Sequence, residues 1–332
     1  MTNKCAIIFS IIIINLVSLL NVKSQESARN EKFGKANQIL KWAREAVNTN
    51  NLDIRSVSLK RLNETSSVVT TETDGIEKPN AESDPLANSQ RETSDDISYL
   101  FPDKVRISNK TQNANGSVDR ISFRLTILNE DILETEDKII AGGKEFSFDS
   151  IIKSGPFSSL MPKSKESSMA EKRESFLQNF WLTIFPILLD SPWGESHTFE
   201  YVGKAESPDG RADIIDVKSN DVSDTVKIQL FFDEDSHLLL MMTVIDNKEK
   251  EGMKVFSDTK YFFSNYERVD GFLIAKKINI ESQSKTKMDK RIMGYKLKGG
   301  NIKTTSEITL EEVKINPTFK PDTFLIKDEK KK

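Results

Sequence analysis

The clearest hydrophobic pattern in the chain has period two, and it is sustained from Phe199 to Asp246 with turn residues between the runs. Phe199-Glu-Tyr-Val-Gly-Lys-Ala-Glu206 alternates apolar and polar positions. Ser207-Pro-Asp-Gly210 then supplies the preset φ of Pro and the positive φ open to Gly that a tight turn needs. Ala212-Asp-Ile-Ile-Asp-Val217 resumes the alternation, Ser219 to Asp224 is a polar break, and Thr225-Val-Lys-Ile-Gln-Leu-Phe-Phe232 returns with β-branched and aromatic residues. After Asp233-Glu-Asp-Ser236 the run His237 to Ile245 completes a meander of four antiparallel strands with one apolar face.

Similar but shorter signals flank this meander. Ile54 to Leu62, Ile97 to Ile107, Asp119 to Asn129 and Lys138 to Phe148 read as strands before it, with Pro102 placed at a bulge and Gly142-Gly143 breaking the last. Lys254 to Glu267, Phe272 to Ser282, Lys290 to Lys298 and Ile302 to Val313 read as strands after it, and Thr323 to Ile326 as a short terminal strand. Together these predict about ten or eleven strands in one antiparallel sheet, curved where Pro102, Gly142 and Gly143 interrupt regular pairing.

Period 3.6 occurs twice. Phe33, Ala36, Ile39, Leu40, Ala43, Ala46 and Val47 share one side of a helical wheel, with Lys35, Lys41 and Arg44 elsewhere. Ser168-Met-Ala-Glu171 fits a capping box before a more apolar helix, on which Phe176, Leu177, Phe180, Trp181, Ile184 and Leu188 fall on one half of the wheel and Pro186 kinks or ends the first segment. The whole is an α+β fold: a strongly curved half-barrel sheet with both helices on its concave side. The stretch from Asn63 to Asp96 shows no sustained period and is dense in Glu, Thr, Ser, Asn and Asp, which predicts a polar, disordered insertion between the first two strands.

Composition changes this picture little. Charged residues make up 30% of the 332 and hydrophobic residues 37%, enough for one curved core, so residues 25–332 are expected to form a single domain that is monomeric. A net charge of −3 argues against nucleic acid as a partner. The ends matter more. Lys4 precedes the apolar run Ala6 to Leu20, and small and polar residues follow before Gln25, the pattern of a secretory signal peptide over residues 1–24, with an uncleaved anchor as the alternative. The single cysteine, Cys5, lies in that leader, so the exported chain has no thiol.

The chemical inventory is thin. His197 and His237 show no metal-ligand spacing, no nucleophile elbow or phosphate-cradling glycine loop is present, and Asp209, Asp213 and Asp233-Glu-Asp235 occupy turn-like positions. No metal, cofactor or enzymatic activity is expected. The locally basic stretches Lys285 to Arg291 and Lys296 to Lys303 read as a solvated rim, with contact to lipid headgroups as the functional alternative.

The run Tyr201 to Val217, the run Leu230 to Met242, Tyr261-Phe-Phe-Ser-Asn-Tyr-Glu-Arg-Val-Asp-Gly271 and Val313 to Phe324 resemble the bacterial outer-membrane lipoprotein-sorting proteins of the LolA-like superfamily. That resemblance implies a periplasmic, non-enzymatic carrier holding the acyl chains of a lipid or lipoprotein between sheet and helices. Its alternative on the same scaffold is an envelope sensor that binds protein. For the carrier, the expected lining is Phe176, Leu177, Phe180, Trp181, Ile184 and Leu188 from the helix, facing Leu230, Phe232, Leu240 and Met242 from the strands. Peripheral membrane contact accompanies such a role.

Overall fold

A computed structural model describes residues 30–48, 53–73, 76–79, 88–101, 104–113, 120–129, 132–141, 144–147, 176, 182–189, 197–207, 210–219, 226–250, 253–292 and 295–325. The leader at 1–24 and the capping box at Ser168 lie outside the described residues. The strands are β1 (Ser56–Thr73), β2 (Ile76–Pro79), β3 (Asn88–Leu100), β4 (Lys104–Asn113), β5 (Arg120–Asn129), β6 (Ile132–Ala141) and β7 (Lys144–Ser147). They continue with β8 (His197–Ser207), β9 (Gly210–Ser219), β10 (Val226–Asp233), β11 (Leu239–Lys250), β12 (Met253–Val269), β13 (Phe272–Ile292) and β14 (Tyr295–Ile315). Helix α1 covers 30–47 and α2 covers 182–188.

All the pairings are antiparallel and form one sheet in the order β7-β6-β5-β4-β3-β1-β14-β13-β12-β11-β10-β9-β8, with β2 paired to β1 alone. The edges β7 and β8 do not meet, so the sheet is open. Two meanders, β3 to β7 and β8 to β14, are joined in the middle by β1. At that seam Thr65 and Ser306 share a hydrogen bond of 2.9 Å and Ser67 and Thr304 one of 3.2 Å. Asn316 closes its end: the side-chain oxygen accepts the amides of Arg55 at 2.7 Å and Ser56 at 3.3 Å, while the side-chain nitrogen donates to the Asp53 carbonyl at 2.9 Å. Its φ of 56° lies in the left-handed region, which asparagine tolerates better than most residues.

The meander from Phe199 to Asp246 forms as its alternation requires, in β8 to β11. Other expectations need correction. Asn63 to Asp96 is not a disordered insertion: β1 runs through Asn63 to Thr73, β2 follows, and β3 begins at Asn88. Hydroxyls and amides pair across strands as well as with water, so a polar run can be a strand where both neighbours are present. Ile97 to Ile107 is a hairpin and not a bulged strand, since Ile97 pairs with Ile107 and Leu100 with Lys104; Pro102 itself lies outside the described residues. Ala141 pairs with Lys144 across the Gly142-Gly143 position, which is another hairpin.

Lys290 to Lys298 is no separate strand. Its residues belong to the two arms of the β13–β14 hairpin, where Lys290 pairs with Leu297 and Ile292 with Tyr295. The expected terminal strand at Thr323 is instead a turn, whose Phe324 is buried and packs edge-on against Phe319. These changes, with the four-residue strands β2 and β7, bring the sheet to fourteen strands.

One face of the sheet, here the inner face, carries the core. Ala36, Ile39, Leu40, Ala43 and Val47 of α1 join Ile184 to Leu189 and strand residues such as Leu59, Leu230 and Ile274 in a single buried cluster. Burying Ile39 and Leu40 contributes about 1.5–3 kcal/mol each. Around that stripe the polar side of α1 is tied down: Lys35 sits 3.6 Å over the ring of Tyr201, Trp42 stacks on His237 at 5.1 Å, and the Arg44 Nε–H donates to the Leu189 carbonyl at 2.7 Å. Leu189, with φ 51°, ends α2 by donating its amide to the Phe185 carbonyl.

Two predictions follow from these ties. Asn316→Ala removes the clamp on the seam and should cost about 1–2 kcal/mol in denaturant unfolding. Tyr266 donates its hydroxyl to the Leu239 carbonyl at 2.5 Å, and burial raises its pKa above the ordinary tyrosine value of 10.0. A raised pKa on a neutral acid means that its stabilisation is complete below the unfolded-state pKa and disappears as pH rises through the folded one. Stability should therefore fall as pH rises past 10, and Tyr266→Phe should flatten that decline in urea titrations run across the alkaline range.

Candidate functional site

The middle of the inner face is built from cross-strand rows. Asn63 of β1 lies opposite Ile308 of β14, Ile308 opposite Ile278 of β13, and Ile278 opposite Phe263 of β12. One row along, Thr65, Ser306, Ile280 and Tyr261 follow the same order, and Arg61 faces Leu310 on the other side. Above these rows lies α2, and between helix and sheet is a cavity of about 290 Å³. Leu182, Thr183, Pro186 and Ile187 form its roof; Leu59, Phe263, Ile278, Ile280, Ile308 and Leu310 form most of its floor. Well-packed interiors leave few voids larger than a water molecule, which occupies about 30 Å³. The space between α2 and the sheet is several times larger than that.

The geometry of α2 explains the space. Ile184, Phe185, Leu188 and Leu189 are buried in the core, and Phe185 stacks on Phe199 at 5.9 Å. These residues hold the helix down on one side, while Leu182, Pro186 and Ile187 on the other side face Leu59, Phe263, Leu310 and three isoleucines across the space.

Three polar side chains complete the lining: Arg61 and Asn63 on the β1 side and Tyr261 on β12. The Arg61 Nε–H donates to Asp95 Oδ2 at 2.6 Å, a second guanidinium nitrogen reaches the same oxygen, and Asn109 donates to Oδ1. The Asp95 carboxylate is 1% exposed, so a lost partner would leave an uncompensated buried charge; the pair locks the guanidinium in place. Burial raises the pKa of the Tyr261 phenol, against a smaller opposing effect of the Arg61 charge. Past this point the inner face is lined by hydroxyls, with Thr259 and Ser282 sharing a bond of 2.9 Å beside the Thr65 and Ser67 pairs.

None of the described residues of the expected lining stands in the wall of this cavity. Phe176 is half-buried against the core; Ile184, Leu188, Leu230, Phe232 and Met242 are buried within it, outside the cavity wall. Leu177, Phe180 and Trp181 lie outside the described residues. Leu240 is 40% exposed, a correction with a clear cause: a bulge pairs Phe231 with Met241 but Phe232 with Leu239, so Leu239 turns inward and Leu240 outward. The residues that reasoning from sequence missed come from β1, β12, β13 and β14 and from the other side of α2. Alternation was visible at Ile278-Asn-Ile280 and Ile308-Thr-Leu310, but nothing local told which strands lie beneath the helix.

Other concave or polar places suit an apolar ligand less well. A recess of about 410 Å³ over β1, β13 and β14 is walled by exposed Glu64, Glu92, Glu281 and Glu307. Among the described residues no group of three or more His, Cys, Asp or Glu could hold a metal ion, and no helix is long and apolar enough to cross a membrane. Asp233 serves its own turn, accepting the Ser236 amide at 2.6 Å and hydroxyl at 2.7 Å.

The two sides of α2 should respond differently to truncation. Phe185→Ala empties a packed site and should cost about 3–5 kcal/mol. Leu182→Ala enlarges a space that already exists and should cost under about 2 kcal/mol. Paired thermal and urea denaturation measures the contrast.

No known protein family matches the chain by sequence, and no curated protein does. Among solved structures it is similar to a DUF1329 family protein from Desulfovibrio piger, at 10% identity over 87% of this chain and 97% of that one, with a TM-score of 0.40. It is also similar to an outer membrane lipoprotein-sorting protein domain from Vibrio parahaemolyticus, at 12% identity over 87% and 97% with a TM-score of 0.39. A third is a LolA superfamily protein from Nitrosomonas europaea, at 8% identity over 88% and 97% with a TM-score of 0.39. DUF1329 and LolA-superfamily proteins are thus among the solved structures to which this chain is similar.

Proposed function

We propose that this protein is an exported, non-catalytic carrier that shelters an acyl chain of a lipid or lipoprotein between α2 and the inner face of its sheet. The observation that carries this reading is the 290 Å³ cavity whose roof and floor are mainly apolar, with Arg61, Asn63 and Tyr261 as polar groups in its wall. Ligand pockets begin at about 300 Å³ and combine apolar walls with a few polar groups that orient the ligand. The space suits one chain and not several, and each methylene buried there contributes about 0.8 kcal/mol. In this reading the sheet curves around the helices as a half-barrel, and α1 and α2 occupy its concave side. The leader at residues 1–24 would deliver the protein to the periplasm as a monomer.

A fluorescent fatty-acyl probe tests the proposal. Saturable binding is expected for the wild type. Leu182→Trp, which fills the roof of the cavity, should weaken binding by more than about tenfold while leaving the melting temperature unchanged or raised. A wild type that binds no acyl probe but holds a stable protein partner would remove the carrier reading in favour of a protein-binding role on the same scaffold.

A further inference from the structure

We infer that the cavity selects a single-chain amphiphile whose head is an anionic oxyacid, carboxylate or phosphate, held by Arg61, Tyr261 and Asn63. This inference rests on the carrier reading and names the chemistry of its ligand. All three side chains line the same cavity, which apart from Thr183 in its roof is otherwise apolar.

What they have left to offer is mainly donors. Asp95 occupies the Nε–H and one terminal nitrogen of Arg61, leaving the other edge of the guanidinium, whose side chain is 25% exposed. The Asn63 oxygen accepts the Thr65 hydroxyl at 3.2 Å, so its amide nitrogen remains. The Tyr261 hydroxyl makes no hydrogen bond among the described residues, although it stands near enough to Arg61 for the two to interact electrostatically. Guanidinium and amide nitrogen can only donate, and a hydroxyl can turn to do so. An acceptor-only head satisfies all three; an ammonium head satisfies none of the nitrogens.

Charge agrees with this count. The Arg61–Asp95 pair is neutral as a unit, and Arg91, opposite Thr65 on the same face, adds a second cation. Beyond Tyr261 and Thr65 the inner face carries hydroxyls rather than carboxylates, so an anionic head meets no repelling wall on that side. A guanidinium already fixed by a buried carboxylate loses little freedom on binding, which favours recognition by geometry.

The test is competition against the fluorescent acyl probe with dodecanoate, dodecyl phosphate and methyl dodecanoate, which share a chain and differ at the head. Dodecanoate, dodecyl phosphate or both should displace the probe at about tenfold lower concentration than the methyl ester; whichever is stronger identifies the source of the head. Tyr261→Phe breaks no hydrogen bond among the described residues and should reduce the anionic preference by about threefold or more without changing displacement by the ester. Arg61→Lys keeps a charge for Asp95 but loses the free edge, and should abolish the preference; if that variant fails to fold, Tyr261→Phe still decides. Equal displacement by all three compounds, or an anionic preference unchanged in the folded variants, would overturn the headgroup assignment and leave the carrier reading intact. No probe binding to the wild type would instead overturn the carrier reading itself.

Discussion

The pairing of β1 with β14 is the constraint on which the rest of the molecule depends. It joins residues such as Val57 and Ile315 from opposite ends of the described chain, and without it the protein would be two unconnected meanders. The seam carries backbone ladder bonds, paired hydroxyls and the Asn316 clamp. It also includes a local irregularity: the register shifts between Ser58 and Lys60, opposite Glu312 at φ 47°. That bulge lets Leu310 and Val313, three residues apart, both reach the core. Pairing across such a sequence distance incurs a large loop-closure entropy before any contact rewards it, so the seam is expected to form late in folding.

The cavity is a by-product of that seam. Its floor draws on β1 from the start of the chain and on β12, β13 and β14 from the end, and only their juxtaposition places Arg61 in a row with Leu310 and Asn63 in a row with Ile308. The same long strands continue past α2, and there the inner face changes from aliphatic to hydroxyl-bearing while the outer face bears ions such as the Lys277–Glu307 pair at 2.8 Å. An apolar compartment therefore borders a neutral polar strip at the row of Thr65 and Tyr261, and the Arg61–Asp95 pair stands on its β1 side. A buried ion pair is weak evidence for stability, because desolvation offsets most of its attraction. Its structural consequence here is directional: it fixes which edge of the guanidinium faces the cavity.

Polarity misled where it was taken for disorder. Asn63 to Asp96 has the composition of a solvated loop, yet Thr65, Ser67 and Thr93 each find a hydroxyl or amide on a neighbouring strand. Composition reports how little apolar surface a segment can bury; it does not report whether neighbours on both sides offer hydrogen-bond partners. Leu240 is the complementary case. Strict alternation assigns it to the same face as Met242, and one extra residue in the ladder at Phe232 reverses it.

The sequence by itself determined the local periods. The stripe Ala36, Ile39, Leu40, Ala43 and Val47 specified α1 and its buried side, and alternation with well-placed turns specified β8 to β11, because both patterns are set by the geometry of a single element. The resemblance carried by the C-terminal meanders pointed to the same class of sheet. Only the tertiary structure decided which strands stand beneath α2, which side of that helix is packed and which faces a void, and that Arg61, Asn63 and Tyr261 line the same void. Those facts depend on strand order, on bulges that shift side chains from one face to the other, and on the resting place of α2 between distant strands. A period along the chain records which side of an element is apolar, and it contains no term for the element that will lie opposite.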